Sequence, residues 1–433
     1  MKRLVLFFTR ICERFLPDAF VFCLFLTLSV YIAALIFSPY SGLELIDFWG
    51  KDFWSLNSFA MQMVFVLLSG HMLASTNSIR KALEFLTGIP KNEFQALILL
   101  SLFSILACFI NWGFGLIVSG ILAVEMARKL KRVNFGLFVA TAYAGFLVWH
   151  GGLSGSIPLK IASNDEVLEK IFPGLKIPLD QTIFSSWNFL IVGTILLTFP
   201  LLSVLMNDHS SIEVSSPSSA SGPNTKNDSF RDQVENSPWP NRLIFIFFGI
   251  YLLRSLFRGE GLDINKVNWI FLFLAIFLHG TPANFLKAVH SSINYVSGIV
   301  IQFPFYAGLM GLMQYSGLAD QISQIFIQIA TKDTLPIWTF LSGGVVNFFI
   351  PSGGGQWVVQ GPVMLKAAQN LGSNPAKISM ALAWGDAWTN LIQPFWALPI
   401  LALAKLQLKD IMGYCLIYTF VSGILISGIL LFF

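Results

Sequence analysis

The chain has 433 residues, of which 55% are apolar and 12% charged, and Phe alone occurs 42 times. Soluble domains carry roughly 25% charged residues, so a water-soluble fold of this size could not cover such a sequence with a polar surface. That excludes the soluble classes and leaves a polytopic membrane protein, in keeping with a mean hydropathy of +0.70. The net charge of +4 supplies no argument for a nucleic-acid partner, and none is expected. Cys12, Cys23, Cys108 and Cys415 are scattered through apolar runs without metal-type spacing. They read as small core hydrophobes, and neither a metal nor a cofactor is expected.

In chain order, Lys2, Arg3, Arg10 and Arg14 precede an apolar run from Phe15 to Phe37. The run is too long for a signal-peptide core and predicts a retained first span with a cytoplasmic N-terminus. A second span is expected from Phe59 to Ala74, returning to a basic stretch with Arg80, Lys81 and Lys91. Glu93 to Leu130 is almost twice as long as the roughly 20 residues one crossing needs. It has Asn111-Trp112-Gly113-Phe114-Gly115 at its middle and Arg128, Lys129, Lys131 and Arg132 at its far end. Basic flanks on both sides predict a re-entrant hairpin. From Phe135 an apolar stretch is interrupted at His150 to Ser156, and Ile183 to Met206 closes the first half.

Asn207 to Pro240 is rich in Ser, Asn, Asp and Pro and reads as a flexible cytoplasmic linker. Beyond it, Leu243 to Leu256 is a connecting span, followed by spans near Val267 to Leu278 and Ile293 to Leu312. Leu335 to Leu371 is a second double-length segment, with Asn347 and Pro351-Ser352-Gly353-Gly354-Gly355 at its middle. The next helix is expected to be interrupted at Gly385 to Asn390 and by Pro394, and the last span is Tyr414 to Phe433.

The expected fold is therefore an all-α polytopic membrane protein with about nine transmembrane helices plus two re-entrant helical hairpins, in two inverted repeats. Residues 1–206 form the first repeat with hairpin 93–130, and 207–240 the linker. Residues 241–433 hold the connecting helix and the second repeat with hairpin 335–371. The odd number of spans puts the C-terminus outside. Positive charge supports this plan only in the first half; beyond Lys226 it divides evenly, so the second half rests on the repeat.

Matching hairpins and broken helices in two halves are what a secondary transporter looks like in sequence. A break exposes N–H groups at one new end and C=O groups at the other, and in hydrocarbon it persists only where something binds or water reaches. The N–H ends attract an anion and the carbonyl ends a cation. Enzyme signatures are absent: there is no HExxH, GxSxG, P-loop or GxGxxG. No enzyme is expected.

The chain resembles the bacterial short-chain fatty acid transporters, which include the acetoacetate and butyrate permeases. The resemblance is carried by Ile110 to Gly115, by Asn347 with Pro351 to Trp357, and by Gln393-Pro394-Phe395-Trp396-Ala397-Leu398-Pro399. Gln302 to Gly308, Asp410 to Cys415 and Gly70-His71 add to it. It implies uptake of short-chain monocarboxylates across a bacterial inner membrane. Through the wider ion-transporter superfamily it also implies an elevator motion and a homodimer. Another small organic anion as substrate, or an anion channel, are the alternative readings.

Site residues follow from the breaks. Asn111, Gly113, Gly115, Ser352, Gly353, Gly354, Gly355, Asn390 and Trp357 are expected to bind substrate, with the two hairpin tips meeting around its carboxylate. Asp386, Asn347 and His150 are expected to couple transport to Na+ or H+. Asp386 reads either as a cation ligand or proton carrier, or as a cap on a half-helix N-terminus. His71 reads as a proton relay or as a packing hydrogen bond. Trp112, Trp149, Trp357, Trp388 and Trp396 gather near the breaks and suit the wall of an acyl pocket. With no Arg or Lys in either hairpin core, a monoanion is favoured over a dicarboxylate.

Overall fold

The computed structural model describes residues 7, 8, 10–12, 14, 17–162, 166–207, 212–213, 230–259, 264–293 and 296–433. Lys2 and Arg3 lie outside them, as does most of the linker, 208–211 and 214–229. The described residues are almost entirely helical. The exception is a two-strand pair, Arg132–Val133 against Ile212–Glu213, which ties the linker to the basic end of the first hairpin.

The first half begins with α1 (Ala19–Phe37), the amphipathic α2 (Gly42–Asp52), α3 (Asn57–Ala74) and α4 (Asn77–Gly88). The hairpin α5 (Glu93–Ile110) and α6 (Trp112–Leu130) follows, then α7 (Phe135–Ala144) running into a 3-10 turn at Gly145–Gly151. α8 (Ser156–Ala162), α9 (Glu166–Ile171) and α10 (Ser186–Met206) complete it. A short α11 (Phe230–Glu235) precedes α12 (Trp239–Phe257). The second half runs α13 (Ile264–His279), α14 (Pro282–Ser292), α15 (Ser297–Tyr315) and α16 (Leu318–Gln328). The hairpin α17 (Leu335–Asn347) and α18 (Gly353–Leu371) comes next, then α19 (Pro375–Asn390), α20 (Pro394–Ala404) and α21 (Leu408–Phe432).

Among the described residues six apolar helical runs are long enough to cross a membrane: Phe20–Phe37, Glu93–Ile110, Phe135–Ala162, Ser186–Met206, Trp239–Phe257 and Leu408–Phe432. Ala60–Leu73, Asn268–His279 and Pro394–Ala404 are shorter apolar helices. Burial sorts them. Only 17% of Phe20–Phe37 and of Trp239–Phe257 is buried, against 89% of Phe135–Ala162. The interrupted helix therefore lies at the centre, and α1 and α12 at the rim.

Around that centre α10 and α21 clamp α7. Tyr418 on α21 places its hydroxyl 2.6 Å from Ser203 Oγ on α10 and 3.2 Å from Thr141 Oγ1 on α7. α2, α3 and α13 to α15 form a second layer. Gly308 and Gly311 let α15 approach Trp49 and Asp52 of α2, and His71 Nδ1 lies 2.8 Å from Ser292 Oγ. His71 thus makes a packing hydrogen bond between α3 and α14. The two layers meet through apolar groups: Gly70 against Ile117, Phe114 on Phe271, and Phe303 stacked on Phe395 with ring centroids 4.2 Å apart.

One expectation is corrected here. Helix α19 does not break at Gly385 to Asn390. It continues through them, and the chain leaves helical geometry only at 391–393, before Pro394. Gly385 is a packing residue: a Cβ there would strike the Phe340 carbonyl of α17 and come within 3.0 Å of the Gly344 nitrogen. Gly343 and Gly344 face α19 in the same way, so two helices approach at backbone distance through small residues. Gly385→Ala is expected to lose about 1–3 kcal/mol to overpacking. Gly428→Ala on α21, where a Cβ meets nothing within 4 Å, is expected to lose none. Thermal unfolding of the purified variants in detergent checks the difference.

Candidate functional site

The first break grows out of α7. The 3-10 turn at Gly145–Gly151 is buried throughout, and the chain then runs as turns, with single i→i−3 bonds from Gly152 N–H to Trp149 and from Gly155 N–H to Gly152, until α8 starts at Ser156. Its glycines are required by close approach, because a Cβ at Gly145 would enter Ser104 and one at Gly152 the Phe109 backbone, both on α5. The exposed backbone groups are then taken up one by one. Leu153 N–H donates to the Phe109 carbonyl (2.7 Å), and Trp112 N–H donates to Ser154 Oγ (2.9 Å). Asn188 on α10 donates to the carbonyls of Gly151 (2.9 Å) and Ile183 (2.8 Å), and accepts from Trp384 Nε1 (2.9 Å).

At the second break the carbonyl end of α19 is closed by side chains. Asn347 Nδ2 donates to the Asp386 carbonyl (2.9 Å), to Thr389 Oγ1 (2.9 Å) and to Asn390 Oδ1 (2.7 Å). Tyr143 donates to the Asn390 carbonyl (2.5 Å), and Gln393 Nε2 to that of Asn347 (2.7 Å). Asp386 sits four residues before the end of α19, fully buried. The reading of it as a cap on a half-helix N-terminus is therefore overturned, because it lies at the carbonyl end, where the backbone field favours positive charge.

The two hairpin tips differ. At the first, Asn111 is the N-cap of α6, accepting from Phe114 N–H (3.0 Å), and Gly115 N–H donates to the Asn111 carbonyl (2.8 Å). With Trp112 N–H on Ser154, three of the first four amides are occupied within the protein, and that of Gly113 has no acceptor among the described residues. Gly113 is buried in the same turn, and Gly115 packs against the backbone of Ala107 and Cys108. At the second tip Ser352 caps α18, accepting from Gly355 N–H (3.3 Å), and Gln356 N–H donates to the Ser352 carbonyl (2.7 Å). The amides of Gly353 and Gly354 have no acceptor among the described residues. A Cβ at Gly354 would meet nothing within 4 Å, and its φ is not positive. Neither packing nor backbone conformation requires glycine there, so the α18 N-terminus opens into space.

Gly353 lies against the imidazole of His150 and against Ser156 Oγ, so the second tip touches the first break. His150 Nε2 is 3.5 Å from Asp386 Oδ1, and both side chains are fully buried. That spacing is too long for a hydrogen bond, and neither imidazole nitrogen nor carboxylate oxygen has a partner among the described residues. Asn347 Oδ1, Asn390 Nδ2, Gln356 Oε1, Gln393 Oε1 and Ser156 Oγ are in the same condition. Buried polar atoms are normally satisfied, so these call for ordered water or a ligand between them.

Trp112, Trp149 and Trp396 form one aromatic cluster with Phe146, their ring centroids 5.2–6.0 Å apart. Trp357 is wholly buried with Gly361 against its indole, and Trp388 donates to the Thr419 carbonyl on α21. Sequence reasoning passed over the glutamines. Gln356 donates to the Gly343 carbonyl and to Gln360 Oε1, both at 2.8 Å, and Gln360 to Ser342 Oγ at 3.1 Å. Three fully buried Gln in apolar segments carry a desolvation cost that could have flagged them.

The family model described as "Short chain fatty acid transporter" matches residues 1–433. A protein of Escherichia coli named "Putative short-chain fatty acid transporter" is 38% identical over 442 residues, covering 99% of each chain. One of the same name from Haemophilus influenzae is 36% identical over 446 residues, again covering 99% of each. Among solved structures, the chain is similar to the Alcanivorax borkumensis YdaH transporter (16% identity, TM-score 0.45, covering 96% of this chain and 98% of that one). It is also similar to Neisseria gonorrhoeae MtrF, titled one of a class of antimetabolite efflux pumps (17% identity, TM-score 0.44, covering 98% and 97%). The chain belongs to the short-chain fatty acid transporter family, a family of membrane transporters and not of enzymes.

Proposed function

We propose that this protein takes up short-chain monocarboxylates of the butyrate and acetoacetate type by alternating access, holding the carboxylate at the tip of the second hairpin. The observation that carries this is the pair of amides at Gly353 and Gly354, without an acceptor among the described residues at the N-terminus of a 19-residue helix, with open space where a Cβ on Gly354 would stand. A helix N-terminus with free N–H groups binds an anion without any cationic side chain, which suffices for one carboxylate. Ser352 can turn its hydroxyl proton toward the same anion while its oxygen accepts from Gly355. The acyl chain then faces α15. Met310 Sδ lies 3.4 Å from where a Cβ on Gly355 would stand, and Tyr306 packs on Phe395 at 5.0 Å.

In this reading the hairpins, interrupted helices and closing helices move as one unit against α1 to α3 and α13 to α15. The apolar contacts between the layers suit sliding, since few hydrogen bonds need to break. The order of helices from α1 to α10 returns from α13 to α21, and α12 between them inverts the second half. The linker then lies in the cytoplasm and the C-terminus outside. Transport is energised through the buried charge at Asp386, with His150 and Asn347 beside it.

Labelled butyrate is expected to show counterflow in proteoliposomes; a channel shows none. Ser352→Ala and Gly354→Ala, each at normal membrane abundance, are expected to weaken butyrate binding about tenfold to a hundredfold, as charge-assisted bonds of roughly 1.5–3 kcal/mol are lost or blocked. Wild-type affinity in both variants would put the carboxylate elsewhere. Reporter fusions after Pro223 and after Phe433 are expected to report from opposite sides of the membrane. Signals from the same side would refute the inverted arrangement.

A further inference from the structure

His150 and Asp386 are fully buried ionisable side chains facing each other without a hydrogen-bond partner among the described residues. His150 is the sixth residue of the seven-residue 3-10 turn and Asp386 lies in the last turns of α19. Four polar atoms, two on each side chain, have no hydrogen-bond partner, and neither residue is exposed. An ionised carboxylate in such a place must take up a proton or gain a positive partner. The polar side-chain atom recorded beside Asp386 is an imidazole nitrogen at 3.5 Å. A hard metal cation prefers a shell of oxygens, whereas an imidazole exchanges protons with a carboxylate in the physiological range. Gly353, the first residue of the anion-holding tip, rests on the same ring.

Charge counting decides what the pair can do. With one proton shared beyond the ring's own N–H, the empty pair is neutral, whether written as imidazole with carboxylic acid or as imidazolium with carboxylate. A monocarboxylate arriving at Gly353 and Gly354 would leave one uncompensated negative charge in a dry site. A second proton on the pair restores neutrality, giving imidazolium beside carboxylic acid. On the far side the anion and that proton leave together into water, and the pair returns with one.

We propose that His150 and Asp386 form a proton carrier that loads one proton with each carboxylate anion, so that transport is proton-coupled and electroneutral, with no role for Na+. This rests on the transport reading above. The elements packed against the 145–151 turn bring other titratable groups: Cys108 on α5, Tyr143 on α7 and Lys160 on α8. Tyr143 is committed to the Asn390 carbonyl. Glu93, Glu125, Arg128, Lys129, Lys377 and, on α18, Lys366 stand nine or more residues along their helices from the break, which at 1.5 Å per residue is about 13 Å or more. Lys160 is the alternative carrier to be tested.

Calorimetry of butyrate binding to the purified full-length protein, in two buffers of different ionisation enthalpy at each pH from about 5 to 8, counts the protons taken up. The wild type is expected to reach about one proton per butyrate within that window, by linkage, with the same affinity in sodium and in choline salts. Asp386→Asn, nearly isosteric, and His150→Gln are expected to bind butyrate with the proton count lost, and Lys160→Gln to keep it. Normal binding with no proton uptake, a requirement for Na+, or loss of the proton count in Lys160→Gln alone overturns the proposal while leaving the transport reading standing. Absence of both binding and counterflow in the wild type overturns the two together.

Discussion

A polypeptide inside a membrane must satisfy every N–H and C=O it exposes, and this chain breaks two helices in its most buried region. Everything around the centre answers that demand. The carbonyl end of α19 is closed by Asn347 and Tyr143, the start of α6 by Asn111 and Ser154, and the first break by Asn188 and the Phe109 carbonyl. Against that thorough pairing, the few groups left over stand out. Among them are the Gly353 and Gly354 amides, the His150–Asp386 pair and Ser156 Oγ, and Gly353 lies against both His150 and Ser156.

Glycine does two different jobs here, and only the surroundings tell them apart. Gly385, Gly343 and Gly344 let α17 and α19 touch at backbone distance, and Gly145 and Gly152 let the first break lie on α5. Each would drive a Cβ into a neighbour. Gly354 would not: nothing lies within 4 Å of where its Cβ would stand. The same residue type thus builds the wall in one place and the opening in another.

The asymmetry between the hairpins has the same origin. Both begin their second helix with a polar N-cap, Asn111 or Ser352. The first tip gives its leading amide, that of Trp112, to Ser154 of the neighbouring break. The second begins with three consecutive glycines, and the amides of the first two, Gly353 and Gly354, have no acceptor among the described residues. Two stretches that look alike by composition therefore occupy different chemical positions.

Membrane class, the helical pairs joined at Asn111 and at 348–352, and the interruptions after Gly151 and before Pro394 were legible in the sequence, because they depend on local properties: apolar run length, Gly and Pro placement, and polar residues where hydrocarbon forbids them. The family resemblance was legible for the same reason, since its strings lie at those interruptions. What could not be read was which glycine breaks a helix and which lets one pack. Gly385 reads as a breaker until Phe340 is placed opposite it. Nor could the partnership of His150 with Asp386, 236 positions apart, be read from either residue alone. Those outcomes depend on which surfaces meet, and only the tertiary structure, by bringing α17, α19 and the first break together, decided which buried polar atoms would be satisfied and which left open.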